Sequence, residues 1–124
     1  DEHTNTVFCV AFQGLQMADM ESKGGGMPDL ATASYDGTTR VWDVQRCLTK
    51  NSKRCLASLR GSLGGVWCCA YASDQPLLIT GCSKGTLCAY STANKHQLVS
   101  RSTQAHGQNA IFTCATSPTG HVAT

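Results

Sequence analysis

The chain has 124 residues, of which 41% are hydrophobic and 15% are charged, and its formal net charge is +2. This composition is typical of a folded domain and excludes a disordered chain, because so few charges produce little self-repulsion. The small net charge does not by itself indicate a nucleic-acid or membrane partner. No apolar run approaches the ~20 residues that a transmembrane helix needs, and the polar residues 1–6 predict no secretory signal.

Eight cysteines raise the question of a disulfide framework. Four of them lie within apolar runs, where a thiol behaves as a small hydrophobic group: Cys9, Cys68, Cys69 and Cys114. No pair has the C-x-x-C spacing of a local zinc site, and the sequence has no N-x-S/T glycosylation site. We therefore expect reduced thiols, no metal or other cofactor, and a cytoplasmic or nuclear location.

Three segments share one pattern, in which an aliphatic residue is followed by an aromatic residue and then by small apolar residues. They are residues 7–12, 66–71 and 111–116. A second apolar column follows each of them, at residues 30–34, 78–82 and 122–124, and a third occurs twice, at residues 36–43 and 84–91. Such short runs predict strands connected by tight turns. Gly37 and Gly85 supply the positive φ that hairpin turns often need.

The spacing of these segments indicates a repeat. The aliphatic positions lie 59 and then 45 residues apart, and the second spacing falls in the ~40–45 residue range of propeller repeats. The first is longer because of residues 13–29, in which three consecutive glycines predict an exposed loop. No segment has sustained helical periodicity, so we expect few helices.

These residues resemble the WD repeat: a histidine, an apolar strand, the pattern L-A-S/T-x-S-x-D-G-T and a closing Trp-Asp. The first copy matches through His3, Val7, residues 10–12, residues 30–34 and residues 36–43. The second is degenerate but in register through Gly61, Val66, Thr80, Gly85 and Thr86, and the third has His106, Ser117, Pro118 and Gly120. The resemblance implies an all-β fold made of β-propeller blades, each a four-stranded antiparallel sheet.

The resemblance also implies the domain organisation. Repeat one spans residues 1–60 with a loop insertion at 13–29, a degenerate repeat two spans 61–103, and a truncated repeat three spans 104–124. This amounts to about two and a half blades of a larger propeller, since ~four to eight blades close a ring. We expect further blades or a partner chain to cover the open strand edges.

The structural tetrad of the family carries over to His3, Thr32, Asp36 and Trp42. The implied hydrogen bonds run from the indole N–H through the threonine hydroxyl and the imidazole to the carboxylate, and they would hold the strands of a blade together. This role accounts for a Thr-His-Asp set without catalysis, so we predict no catalytic residues. Repeat two has Ser62, Lys84 and Tyr90-Ser91 in place of the histidine, the aspartate and the Trp-Asp pair. We therefore expect its blade to be held by apolar columns alone and to be the looser one.

Functionally, the resemblance implies a rigid scaffold that binds another protein within a multi-subunit assembly. Three positions per repeat would contact the partner: Thr6, Phe8 and Tyr35, then Gly65, Trp67 and Ser83, then Ala110 and Phe112. One of these positions is aromatic in all three repeats. Strand alternation places Val7 and Phe8 on opposite faces, so Phe8 points toward the channel mouth if Val7 packs between blades. Exposed rings are common binding hot spots, and the alternative is that they fill the core between blades.

A basic stretch offers an alternative function. No acidic residue lies between Asp43 and Asp74, whereas Arg46, Lys50, Lys53, Arg54 and Arg60 are basic. We expect this stretch to connect the first two blades and to form an outer strand. It would bind RNA or another polyanion, unless it is a solvated edge whose lysines block strand pairing. A third hypothesis is an enzyme whose catalytic domain lies outside this chain.

Overall fold

The computed structural model describes residues 2–14, 29–49, 54–119 and 121–124. This part of the chain contains ten β-strands and one five-residue helix. The strands are β1 Val7–Phe12, β2 Asp29–Ser34, β3 Thr39–Asp43, β4 Cys55–Leu59, β5 Val66–Tyr71, β6 Leu77–Cys82, β7 Leu87–Ser91, β8 Gln97–Ser102, β9 Ala115–Thr116 and β10 Val122–Ala123. The helix, α1, spans Val44–Leu48.

Two four-stranded antiparallel sheets dominate the fold, with strand orders β1-β2-β3-β4 and β5-β6-β7-β8. A third, two-stranded sheet pairs β9 with β10. The two large sheets share one register, since Val7 lies opposite Ser34 and Val66 lies opposite Cys82 at the start of the inner hairpins. They are therefore successive copies of one unit, and the predicted all-β fold of propeller blades is confirmed.

The same β-bulge interrupts both inner strands. The register shifts between the residues that flank Phe8 in β1 and between those that flank Trp67 in β5. A bulge inserts one extra residue, bends the strand and re-aims the side chain that it carries. The simple alternation assumed for Val7 and Phe8 therefore does not describe this point of the strand.

The hairpin turns between the second and third strands of each blade follow the predicted glycines. Gly37 and Gly85 have φ values of 85° and 69°. Their amide N–H groups donate to the carbonyl oxygens of Ser34 and Cys82 at 3.2 and 3.3 Å. Because a side chain is strained at such φ values, glycine is the residue that closes these turns with least strain.

The hydrophobic core lies between the two blades. Ala31, Ala33 and Val41 of the first sheet are fully buried in one cluster with Val66 and Leu78 of the second.

The opposite face of β1 has no sheet packed against it in the described structure. Its exposed side chains are Val7, Val10 and Phe12, at 42%, 55% and 62% exposure, and their equivalents Val66, Cys69 and Tyr71 in β5 are at 0%, 4% and 9%. This outer face therefore has the apolar pattern of a surface between blades.

Three local predictions need correction. The strand predicted for residues 111–116 is limited to β9, because the backbone of Ile111 instead donates to the carbonyl oxygen of Cys82 at 3.0 Å. The sequence reading missed α1, which begins where the Asp43 side chain caps the Arg46 amide at 3.0 Å. The insertion predicted for residues 13–29 ends before Asp29, which belongs to β2, and residues 15–28 lie outside the described part.

The second blade is not held by apolar contacts alone, contrary to expectation. Tyr90, in the position of the missing tryptophan, is 3% exposed, and its hydroxyl accepts a hydrogen bond from the Gly61 backbone N–H at 2.9 Å. Arg101 of β8 donates to the Gly61 carbonyl at 3.3 Å. A tyrosine hydroxyl thus ties the entry segment of this blade to β7.

Replacing Tyr90 with phenylalanine is expected to destabilise the protein, because the Gly61 N–H loses its acceptor at a cost of ~1–3 kcal/mol. Tyr71→Phe is the matched control, since the Tyr71 hydroxyl is buried without a hydrogen-bond partner in the described structure. We expect that control to be neutral or slightly stabilising. Urea denaturation of both variants measures the difference, and equal losses would contradict this role of Tyr90.

Candidate functional site

A buried hydrogen-bond chain links the first blade to the segment that precedes it. Trp42 Nε1 donates to Thr32 Oγ1 at 2.8 Å, Thr32 Oγ1 lies 2.7 Å from His3 Nε2, and His3 Nδ1 lies 2.8 Å from Asp36 Oδ2. A neutral His3 with its proton on Nδ1 fits this pattern, because the Thr32 hydroxyl then donates to Nε2. The His3 and Asp36 side chains are only 8% and 6% exposed.

Asp36 is the last acceptor in this series of hydrogen bonds. Burial by itself would raise the pKa of its carboxyl, but hydrogen bonds from Thr38, His3 and the backbone of Thr4 lower that pKa below its usual range. Thr38 contributes both its hydroxyl, at 2.6 Å, and its amide, at 2.9 Å. Since the carboxylate is saturated and the Thr32 hydroxyl is buried, the set presents no accessible nucleophile or base.

The other repeats keep parts of this network. Thr80 occupies the position of Thr32 in the second blade, and its hydroxyl is buried without a hydrogen-bond partner in the described structure. In the third repeat His106 Nε2 lies 2.5 Å from Thr124 Oγ1, which reproduces the contact between His3 and Thr32. The histidine–threonine contact therefore occurs in the first and third repeats.

A second cluster of predicted residues forms an aromatic surface, defined by Phe8, Tyr35, Trp67 and Phe112. The Phe8 and Trp67 rings stack at 4.4 Å between centroids with 13° between their planes, and Phe112 meets Trp67 edge-on at 5.2 Å. Tyr35 stands edge-on to Phe8 and Trp67 at 6.1 and 6.4 Å. Phe8, Tyr35 and Phe112 remain 43%, 52% and 68% exposed. The rings thus bridge successive repeats and stay open to solvent.

Local backbone structure positions these rings. The bulges in β1 and β5 place Phe8 and Trp67 at equivalent points of adjacent blades. Tyr35 is held by its backbone N–H, which donates to the Thr6 carbonyl at 2.9 Å. A Cβ atom at Gly65 would lie 2.7 Å from Tyr35 Cδ2, so a side chain there would displace the tyrosine ring. The chain can pass this close to the tyrosine because residue 65 is glycine.

A groove of about 540 Å³ lies beside the aromatic surface. Its lining includes Tyr35, Ser83, Lys84 and Arg60. Asp36 also lines it, but that carboxylate is engaged in the hydrogen bonds described above. The exposed charges of the groove are therefore the positive ones of Lys84 and Arg60. Lys84 was not predicted as a binding residue, although a lysine at the turn position that Asp36 holds in repeat one could have indicated an exposed charge there.

The residues predicted to bind a partner differ in how they are placed. Phe8, Tyr35, Trp67 and Phe112 come together, and Ser83 lies in the adjoining groove. Thr6 is exposed and supports Tyr35 through its carbonyl. The rings are neither a purely exposed rim nor a buried core, since they pack on one another across repeats.

The described members of the predicted polyanion-binding set lie at both ends of β4. Arg54, whose carbonyl oxygen accepts from the Asp43 N–H at 3.0 Å, is near Arg46, and Arg60 is at the far end. Arg46 lies in α1 and pairs with Asp43 at 3.1 Å. Arg54 and Arg60 flank the two ends of β4, which separates them by ~20 Å at ~3.3 Å per residue. Lys50 and Lys53 lie outside the described residues. Of the described members, Arg60 alone reaches the groove beside the aromatic surface.

Replacing Thr32 with valine is expected to cost ~2–3 kcal/mol of unfolding free energy, because the Trp42 N–H loses its acceptor and the Nε2 atom of His3 loses its partner. Thr80→Val is the matched control at the equivalent position of the second blade. Because the Thr80 hydroxyl has no partner there, we expect that change to be neutral or stabilising. Chemical denaturation distinguishes the two variants, and equal stability changes would argue against the role assigned to Thr32.

The lowered pKa of Asp36 predicts acid sensitivity. Its contribution to stability is present above the unfolded carboxyl pKa of ~3.9 and is lost as the pH falls toward the lower folded value. Asp36→Asn should therefore flatten the dependence of the unfolding free energy on pH in the acidic range. Denaturation curves between neutral pH and about pH 3 test this; parallel curves for the two proteins would refute it.

Comparisons with known structures show the same architecture. The structure of Chaetomium thermophilum Sqt1 bound to the N-terminus of the ribosomal protein L10 matches with a TM-score of 0.68 and 18% identity, over 88% of this chain and 24% of that chain. A second structure of Sqt1 from the same organism matches with a TM-score of 0.68 and 19% identity over the same shares. The chain thus spans about a quarter of the length of these structures.

A sequence comparison identifies the family. No curated protein matches the chain. Within the described residues, no helix is long and apolar enough to cross a bilayer. The profile of the WD40 repeat, described as "WD domain, G-beta repeat", matches residues 1–43 and 53–91, which is more than half of the chain. The chain therefore belongs to the WD40 repeat family.

Proposed function

We propose that this chain is part of a WD-repeat scaffold that binds another protein within a multi-subunit assembly, and that the aromatic surface is the point of contact. The observation that carries the proposal is the continuous row of partly exposed rings over three successive repeats. Monomeric proteins seldom expose such rings in a contiguous group unless the group has a partner. The structural neighbour Sqt1, which was solved bound to the N-terminus of a ribosomal protein, supports this by analogy.

The packing of the rings suits them to this role. Phe8 and Trp67 are already stacked, so little side-chain freedom remains to be lost when a partner binds. Phe112 is the most exposed ring and stands edge-on beside them. A pre-organised aromatic cluster of this kind is typical of a binding hot spot.

The adjoining charges define the partner further. Lys84 and Arg60 line the groove next to Tyr35, so the complementary ligand carries carboxylates beside apolar side chains. The groove runs along turns of both blades, and such a shape fits an extended segment. We therefore infer that the partner is an acidic segment of a protein, with its apolar side chains on the rings.

A polyanion is the less favoured ligand. Nucleic-acid bases bind by stacking on open aromatic faces, but Phe8 and Trp67 use a face of each ring for each other. Of the described basic residues in the stretch 46–60, Arg46 and Arg54 lie at one end of β4 and Arg60 lies at the other. RNA binding through Arg46, Lys50, Lys53, Arg54 and Arg60 therefore remains the alternative.

We also infer what covers the exposed face of β1. Its side chains Val7, Val10 and Phe12 correspond to the β5 residues that pack against the first sheet. A further blade with the same register would bury them, and this supports the expected larger propeller. The eight cysteines are all free thiols, which supports a reducing compartment, the cytoplasm or the nucleus.

Trp67→Ala is expected to weaken partner binding by ~30-fold or more, as at a hot spot worth ~2 kcal/mol, in the protein that contains these repeats. Val99→Ala is the control, because Val99 is a 61% exposed apolar residue of β8 away from the rings. Quantitative pull-down and mass spectrometry should show proteins that are retained by the Val99 variant and lost by the Trp67 variant. Identical sets of retained proteins for the two variants would contradict the proposal. Phe112→Ala is a second test, because the Phe112 ring is exposed and its removal should leave the protein soluble; loss of soluble protein in this variant would also contradict the proposal.

The inferred acidity of the partner has its own test. A fluorescent peptide that alternates aspartate with leucine should bind, and its lysine counterpart should not. Lys84→Glu should lower the affinity for the acidic peptide by ~tenfold, and added salt should lower the affinity of the original protein for the same peptide. Stronger binding of a single-stranded RNA oligonucleotide than of the acidic peptide would support the polyanion alternative instead.

A further inference from the structure

Two pairs of cysteines occupy equivalent places at two successive contacts between repeats. Cys9 is the third residue of β1, and it faces Cys69, the fourth residue of β5. Cys68 is the third residue of β5, and its thiol contacts the segment that carries Cys114, the fourth residue of the corresponding segment in the third repeat. All four were predicted only as thiols within apolar runs, and their positions at the contacts between repeats were not predicted.

The contacts of the first pair are close. The Cys9 thiol donates to the carbonyl oxygen of Cys69 at 3.6 Å and accepts from the Cys69 amide at 3.5 Å, so it lies against the backbone of Cys69. The Cys69 thiol itself donates to the carbonyl oxygen of Ala31 at 3.8 Å, in the strand that pairs with β1. In the second pair, the Cys68 thiol donates to the carbonyl oxygen of Ile111, three residues before Cys114, at 3.7 Å. Cys9 thus contacts the backbone of its partner directly, whereas Cys68 contacts the segment that leads to Cys114.

The members of the first pair differ in reactivity. The hydrogen bond from the Cys69 thiol lowers the pKa of Cys9 to about 6 against the opposing effect of burial. The same contact raises the pKa of Cys69, which is 4% exposed. Cys9 is half-buried and therefore reachable by a small oxidant. One pair thus contains an accessible thiolate and, in contact with it, a protonated thiol.

The second pair distributes these properties differently. Its contact lowers the pKa of Cys68 and raises that of Cys114. However, Cys68 is 3% exposed, and Cys114 is the half-buried member. The sulfur with the lowered pKa is therefore shielded and the accessible sulfur has the raised pKa, so this pair should react more slowly.

We propose that Cys9 and Cys69 are an oxidation site, at which a hydroperoxide converts two facing thiols into a disulfide between adjacent blades. Cys68 and Cys114, at the equivalent positions of the next contact between repeats, form a slower site. This inference is independent of the proposed partner. It does not conflict with a reducing compartment, because such a pair is reduced at rest and responds to a local oxidant.

With hydrogen peroxide as the oxidant, the chemistry balances in two steps. The Cys9 thiolate attacks one peroxide oxygen, the O–O bond breaks, and the departing hydroxide takes a proton to become water. The sulfur of Cys69 then attacks the sulfenic acid at Cys9, the S–O bond breaks, and the second hydroxide leaves as water with the Cys69 proton. Two electrons pass from the sulfurs to the peroxide, and two thiols yield one disulfide.

The site has a structural consequence for the aromatic surface. Cys9 directly follows Phe8, and Cys69 lies two residues after Trp67. A disulfide between them would covalently join β1 to β5 next to the stacked rings. It would also close a long loop that contains most of the first repeat, which restricts the unfolded chain and raises the unfolding midpoint.

The test is oxidation of the reduced, folded protein with hydrogen peroxide near one equivalent, followed by alkylation and peptide mapping by mass spectrometry. We expect a peptide cross-linked between Cys9 and Cys69 to appear first, with the loss of two hydrogen atoms, and one between Cys68 and Cys114 later. Cys55→Ser is the control, because Cys55 is also half-buried but contacts no other thiol in the described structure. That variant should form the first cross-link at the original rate.

Two further measurements distinguish the mechanism. In Cys69→Ser, a sulfenic acid should accumulate at Cys9 and react with dimedone, because its resolving thiol is gone. The rate of cross-linking should fall by about tenfold per pH unit below about pH 6, as Cys9 becomes protonated. The titratable groups around Cys9 are the other three thiols of the two pairs.

Several results would overturn the proposal. They are oxidation of Cys9 to sulfinic acid in the original protein without a cross-link, disulfides that join other cysteines, or oxidation of Cys55 as fast as that of Cys9. The mapping of the original protein requires no variant, so misfolding of a serine variant would not leave the question open. A rate that does not change with pH would also contradict the assignment of Cys9 as the attacking thiolate.

Discussion

Face-to-face packing of β5 on the first sheet is the contact on which the rest of this structure depends. Both blades use the same register and the same bulge, so residues at equivalent positions meet at predictable places when the sheets pack. The buried cluster of small and β-branched side chains, including Ala31, Ala33 and Val66, permits close approach of the sheets. The stacked rings and the facing thiols are consequences of that approach, because each joins a residue of β1 to a residue of β5.

The blades satisfy their polar groups in different ways on the same backbone. In the first, the Thr32 hydroxyl connects the indole of Trp42 to His3. In the second, the hydroxyl of Thr80 has no partner within the described structure, and Tyr90 ties its strand to the entry segment instead. A repeat can therefore lose its histidine and tryptophan and keep its register, because apolar packing sets the strands and one side-chain hydrogen bond replaces another.

Binding and oxidation both arise at the contact between blades. Phe8 and Cys9 are neighbours in β1, and each meets a residue of β5 across the interface. The rings lie toward the solvent, with Lys84 and Arg60 in the adjoining groove, whereas the thiols lie deeper. A change in the spacing of the blades would therefore be transmitted to the ring surface, and rigid packing is what keeps that surface in one arrangement.

The sequence by itself determined the repeat, the strands, the glycine turns and the family, because short-range patterns of apolar residues and glycine specify local backbone structure. It also indicated that one aromatic residue per repeat was special, but it could not decide whether Phe8, Trp67 and Phe112 were exposed or buried. That depended on the bulge and on the distance between sheets, since one extra residue changes the direction of a side chain. The helix after Asp43, the tyrosine that replaces a tetrad and the contact between Cys9 and Cys69 were likewise decided by the tertiary structure. The helix depends on a side-chain cap, and the other two features depend on packing between segments that are distant in sequence. The spacing of residues shows neither the cap nor this packing.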